Sequence, residues 1–81
     1  MPLKAIIYTE PNCPPCDQVK AWFARRGIPF EERNVMLNLQ ARQELRELGA
    51  ATLPVTVMHG EPVEGFHPER FEALVGPGIG T

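Results

Sequence analysis

Eighty-one residues make one domain, and a chain this short buries only about 60% of its unfolded surface, so its core is modest. Hydrophobic content of 43% with 22% charged residues excludes a disordered chain and fits a soluble globular domain. A formal charge of −2 offers no basic surface for nucleic acid, and no apolar stretch nears the roughly 20 residues that span a bilayer.

The N-terminal Met1-Pro2-Leu3-Lys4 lacks a signal peptide's long apolar segment, which predicts a cytoplasmic chain, where a disulfide is transient rather than structural. Residues 3–8 are apolar on both faces, as in a central strand. Thr9-Glu10-Pro11-Asn12 reads as a loop. A helix is expected over 13–26. Pro14 and Pro15 fit its first turn, Val19, Trp22 and Phe23 form its inner stripe, and Gly27 stops it. A second strand is expected over 30–34. Asn38 caps a helix over 39–48, with Ala41, Leu45 and Leu48 inward and Gly49 at its end. Arg42, Glu44, Arg46 and Glu47 read as a solvated face with i,i+4 pairing.

Residues 54–58 form a third strand. His59-Gly60 turns the chain into a short edge strand over 61–64 that tolerates Pro62. A last helix begins with His67 near its N-cap and Pro68 at its first position, and ends near Val75. The domain is therefore expected over 1–76, with 77–81 a flexible tail. The order is β-α-β-α-β-β-α, an α/β fold with a right-handed parallel crossover first and an antiparallel hairpin later. No large exposed apolar face is evident, which predicts a monomer.

The chemistry lies in Cys13-Pro14-Pro15-Cys16, which contains both cysteines of the chain. A thiol at a helix start meets free N–H groups and the positive end of the helix dipole, which favour the reactive thiolate. Cys13, preceding the helix, is expected to be exposed and nucleophilic. Cys16, one turn in and facing the sheet, is its resolving partner. Cys13 attacks a substrate disulfide, and Cys16 then displaces the reduced substrate. Neither proline has an N–H for the Cys13 sulfur, so the thiol pKa should fall only moderately. A reducing potential of about −270 to −200 mV is expected. Half of a zinc site, with His59 or His67, and a static disulfide are the competing readings. The strand-to-helix context and the lack of a second cysteine pair favour the redox one.

At this point the chain resembles the glutaredoxin-like, NrdH-redoxin branch of the thioredoxin superfamily. The resemblance rests on the segment 7–16, on Ala51-Thr52-Leu53-Pro54-Val55 and on Gly65-Phe66. It implies a thioredoxin-like fold, a four-stranded mixed sheet flanked by three helices. It also implies a cis peptide before Pro54, beside the dithiol, and substrate pairing along the Leu53 backbone. Glutathione-using members carry a lysine where Glu10 stands, and a Gly-Gly-Cys/Ser-Asp segment where this chain reads Glu64-Gly65-Phe66-His67. A glutathione carboxylate would meet Glu10 and Glu64, so glutathione binding should be weak.

The NrdH-redoxin pattern Trp-Ser-Gly-Phe-Arg-Pro resembles Val63-Glu64-Gly65-Phe66-His67-Pro68, with Phe66 and Pro68 in place. This likeness implies a thioredoxin-reductase-type donor and a protein disulfide substrate such as ribonucleotide reductase. No cofactor is expected beyond the Cys13–Cys16 disulfide. A glutathione-dependent glutaredoxin and an iron–sulfur carrier are the alternatives. Phe66 either forms an apolar rim with Pro14, Pro15 and Leu53 or packs on the core. Trp22 and Tyr8 read as packing residues, His67 as an N-cap and His59 as a turn residue.

Overall fold

The computed structural model describes residues 4–76. The expected tail over 77–81 and Leu3 lie outside the described residues. Seven elements follow the expected order: β1 (Ala5–Thr9), α1 (Pro14–Arg25), β2 (Phe30–Asn34), α2 (Leu39–Glu47), β3 (Val55–Met58), β4 (Glu61–Glu64) and α3 (Pro68–Val75). The strands form one sheet in the order β2-β1-β3-β4. β1 and β2 are parallel, while β3 is antiparallel to both β1 and β4. The thioredoxin-like fold implied by the resemblance is therefore the fold adopted.

β1 extends one residue past the expected strand. Thr9 pairs with Asn34, and its carbonyl accepts the Val35 N–H at 2.9 Å. The β-branched Thr9 thus belongs to the ladder rather than to the loop. β3 starts at Val55, leaving Pro54 just outside it.

Two apolar clusters flank the sheet. One joins Ala5 and Ile7 of β1 to Val19, Trp22 and Phe23 of α1, and to Phe71 and Val75 of α3. The Phe23 ring meets Trp22 and Phe71 edge-on, with centroids 5.0 and 5.2 Å apart. Such pairs add to the stabilisation from area burial. The other cluster joins Tyr8, Val35, Ala41 and Val55, with Leu45 and Leu48 against it. The helices thus take opposite faces, α1 and α3 on one and α2 on the other.

Helix ends follow local chemistry. Asn38 Oδ1 accepts the Ala41 N–H at 3.1 Å, the N-cap bond expected of that residue. Gly27 follows α1 at φ +67°, a left-handed conformation that costs glycine little.

Two expectations fail here. Glu44 is not solvated. Its Oε1 accepts the Tyr8 hydroxyl at 3.0 Å and Arg33 Nη1 at 2.6 Å, tying α2 to β1 and β2. Arg33 also donates through Nε to Glu31 at 2.6 Å, so its charge is shared between two carboxylates. The second failure concerns exposed apolar surface. Met36, Leu37 and Leu39, in the turn before α2 and at its start, are exposed, Leu37 at 84%. The premise behind the monomer expectation does not hold for this turn.

Candidate redox site

The site is built at one end of the sheet. β1 exits at Thr9 into a loop whose Asn12 has φ +56°, a left-handed conformation asparagine tolerates. Cys13 follows in extended conformation and is the N-cap of α1. Its carbonyl accepts the Asp17 N–H at 3.2 Å, and its Sγ accepts the Cys16 N–H at 3.2 Å. The sulfur therefore holds the place that a serine or aspartate oxygen holds in other caps. Pro14 and Pro15 occupy the first two helical positions and are exposed. Without N–H groups they leave Cys16 as the nearby backbone donor to that sulfur.

Cys13 and Cys16 are joined by a disulfide, with Cα atoms 5.2 Å apart, inside the ordinary range for such bridges. Relative exposure is 9% at Cys13 and 1% at Cys16. The expectation of an exposed Cys13 is thus corrected, because its sulfur turns inward to Cys16 Sγ and the Cys16 N–H. Cys13 remains the more exposed of the two residues.

Register assigns the remaining parts. Tyr8 pairs with Val55, so Pro54 lies at the end of the sheet where β1 leaves for the dithiol loop. Val55 pairs with Glu64, which brings Gly65 and Phe66 to the same end. The Leu53–Pro54 peptide is cis. Pro54 is buried, and its carbonyl accepts the Gly65 N–H at 2.7 Å. The backbone N–H and C=O of Leu53 make no hydrogen bond among the described residues. Phe66 is half-buried and packs on the α1–α3 cluster, its ring centroid 6.3 Å from that of Phe71.

The family is decided by the glutaredoxin family model, which matches residues 5–63, from β1 into β4. The chain belongs to the glutaredoxin family. With its Cys-x-x-Cys pair intact, this glutaredoxin-family chain is a thiol–disulfide oxidoreductase. It is 32% identical over 71 residues to the Gene 56 protein of Mycobacterium phage L5, a match covering 85% of this chain and 69% of that one. It is also 36% identical over 42 residues to the global transcriptional regulator Spx 1 of Oceanobacillus iheyensis. That match covers 52% of this chain and 32% of the regulator, so only about a third of Spx 1 is spanned.

Among solved structures, the glutaredoxin-like protein NrdH-redoxin from Escherichia coli superposes with a TM-score of 0.80 at 32% identity, covering 88% of this chain and 93% of that one. The thioredoxin-like protein BC3987 superposes with a TM-score of 0.81 at 34% identity, covering 86% and 97%.

Within this glutaredoxin-type site, several residues lie apart from the dithiol. Tyr8 packs with the α2 cluster, where burial, foremost, and the neighbouring Glu44 push its hydroxyl pKa up. His59 turns the β3–β4 hairpin, at the opposite end of those strands. His67 is the backbone N-cap of α3, but its side chain makes no capping bond and lies exposed. Trp22 is core, with the Arg26 guanidinium 4.6 Å from its ring centroid. Glu10 is exposed.

Glu64 was readable from sequence only as a charge unfavourable to glutathione. Its carboxylate instead accepts hydrogen bonds from Ala51 N, Thr52 N and Thr52 Oγ1, at 3.1, 3.2 and 3.0 Å. These donors, the Ala51 N–H foremost, hold the carboxyl below the usual glutamate range. The partners are 12 and 13 residues away, beyond any local pattern. The signal available in the sequence was the hairpin register, which sets an acidic edge residue opposite the start of β3.

Proposed function

We propose that the chain is an NrdH-redoxin-type dithiol carrier, passing two electrons from a thioredoxin-reductase-type donor to disulfides in proteins. The observation that carries this reading is the Cys13–Cys16 disulfide at the start of α1, at the same end of the sheet as the cis Leu53–Pro54 peptide. Cys13 is the attacking thiol, because it is the more exposed of the two cysteines and caps the helix. Its thiolate attacks one sulfur of the substrate disulfide, forming a mixed disulfide and releasing the first substrate thiolate. The Cys16 thiolate then attacks Cys13 Sγ, closing the Cys13–Cys16 bond and releasing the second thiolate. The substrate has gained two electrons and the carrier has lost two. A donor dithiol reverses both steps.

During the first step Leu53 pairs with an extended substrate segment through its free backbone groups. Pro54 shapes that segment, Phe66 supplies an apolar contact, and Pro14 with Pro15 flank the attacking sulfur. A ribonucleotide reductase is the protein substrate that the likeness to NrdH-redoxin suggests. Two features favour a reductase over glutathione as donor. Glu10 places an exposed carboxylate just before the dithiol, and Glu64 already fills the donors of the 51–52 turn.

The test compares reduction of the oxidised protein by NADPH with thioredoxin reductase against reduction by glutathione, with insulin as the disulfide acceptor. Faster turnover with the reductase is expected. Cys13→Ser should abolish insulin reduction, and Cys16→Ser should trap a mixed disulfide. A clear preference for glutathione would overturn the donor assignment and leave the dithiol chemistry standing.

A further inference from the structure

Three donors converge on one oxygen of Glu64: the N–H groups of Ala51 and Thr52, and the Thr52 hydroxyl. Thr52 immediately precedes Leu53. On the other side of Leu53, the Pro54 carbonyl is held by the N–H of Gly65, the residue after Glu64. Two consecutive residues at the end of β4 therefore grip the chain on both flanks of Leu53, whose own N–H and C=O make no hydrogen bond among the described residues.

The turn so gripped has little other support. Ala51 and Thr52 are exposed and belong to no helix or strand. Without the carboxylate, the Ala51 and Thr52 N–H groups would turn to water, and the approach to Leu53 would be left to the packing of Ala50 and Leu53 on the α2-side cluster. Gly65 is suited to its part. It sits at φ +86°, and a Cβ there would come within 3.3 Å of the His67 ring. Glu64 is exposed, so its contribution to the core is small. Its bonds act on one segment.

We propose that Glu64 is a positioning residue for substrate recognition, a carboxylate that presets the Leu53 backbone to pair with an extended protein segment around the target disulfide. This rests on the dithiol reading above and adds to it the group that orders the substrate-pairing strand. A substrate that pairs with the Leu53 backbone depends on that preset geometry. A small disulfide with no peptide backbone meets only the sulfurs, and is indifferent to it.

The experiment uses pre-reduced full-length protein and follows its oxidation by two acceptors, insulin and bis(2-hydroxyethyl) disulfide. Glu64→Ala should raise the half-saturating insulin concentration about fivefold to tenfold, as expected for a displaced binding strand. The limiting rate and the reaction with the small disulfide should stay within about twofold. Glu64→Gln keeps the accepting oxygen and should restore wild-type behaviour. Thr52→Val removes one donor of the three, and should raise the insulin value about threefold to fourfold while leaving the small disulfide unchanged.

Equal losses toward both acceptors in Glu64→Ala, or an unchanged insulin value, would overturn the proposal. If that variant does not fold, Thr52→Val decides by the same criterion. A wild-type protein inert toward both acceptors would overturn the dithiol reading itself, a result distinct from loss of the Glu64 dependence alone.

Discussion

Glu44 shows how a single side chain can carry an interaction that local patterns conceal. Along its own helix its polar neighbours Gln40, Gln43 and Glu47 are exposed, and a solvated face is the natural reading. Its strong partners are 11 and 36 residues distant, Arg33 on β2 and Tyr8 on β1. One oxygen accepts from both, and about a quarter of each charged side chain remains exposed. Removing the carboxylate leaves a nearly buried Tyr8 hydroxyl without its acceptor and halves the neutralisation of Arg33. Glu44→Ala should therefore lower stability by about 1–2 kcal/mol, a figure already discounted for solvent screening. Glu44→Gln, which still accepts from Tyr8, should lose less. Urea midpoints of the two variants measure the difference. Equal midpoints for wild type and Glu44→Ala would show that the network contributes nothing to the fold.

The helices display what a sequence can specify and what it leaves to packing. α1 and α2 begin where a capping side chain meets a suitable first turn, and each ends beside a glycine. Such signals span four residues, which is why both boundaries could be placed within a residue or so of their observed positions. The dithiol was legible for the same reason: its two sulfurs lie three apart at a strand-to-helix junction. The burial of Cys13 was not legible, because an N-cap sulfur turns toward its helix only once the helix exists.

The prolines give this element its own prediction. Cys13 Sγ receives one backbone N–H, from the third helical position, whereas an N-cap acceptor can also draw on the second. Pro15→Ala supplies the missing donor at that second position. The variant's Cys13 thiolate should be more favoured than in the wild type, and its potential more oxidising. The pH dependence of alkylation in the reduced proteins checks this. A profile unmoved by the substitution would mean that the new N–H does not reach the sulfur.

At the scale of the molecule, the fold class followed from element order, since a β-α-β unit and a hairpin leave few ways to form one sheet. What the order could not supply was the set of carboxylates that join distant elements. Glu31 is held by Arg33 and Lys4, Glu32 by Thr9 and Lys20, and Glu64 by the 51–52 turn. Each has its pKa lowered in the folded protein, chiefly by the hydrogen bond to its first-named partner. The unfolded chain binds protons at these sites near pH 4.5, where the folded chain does not. Stability from this set is therefore complete above that pH and drains away as pH falls through the lower folded values.

Tyr8 works in the other direction. Its pKa is raised by burial, so its contribution is full below the unfolded value of 10 and declines as pH rises toward the higher folded one. Together these groups predict a plateau in stability from about pH 5 to pH 9, with losses on both sides. Urea midpoints across that range would trace it. Glu64→Gln should flatten part of the acid limb and leave the alkaline limb untouched, because the Gln side chain does not titrate and the groups that shift Tyr8 are its burial, Glu44 and Arg33, not Glu64. A Glu64→Gln acid limb as steep as the wild type's would show that ionisation of this carboxylate adds nothing to folding, whatever its hydrogen bonds do for substrate.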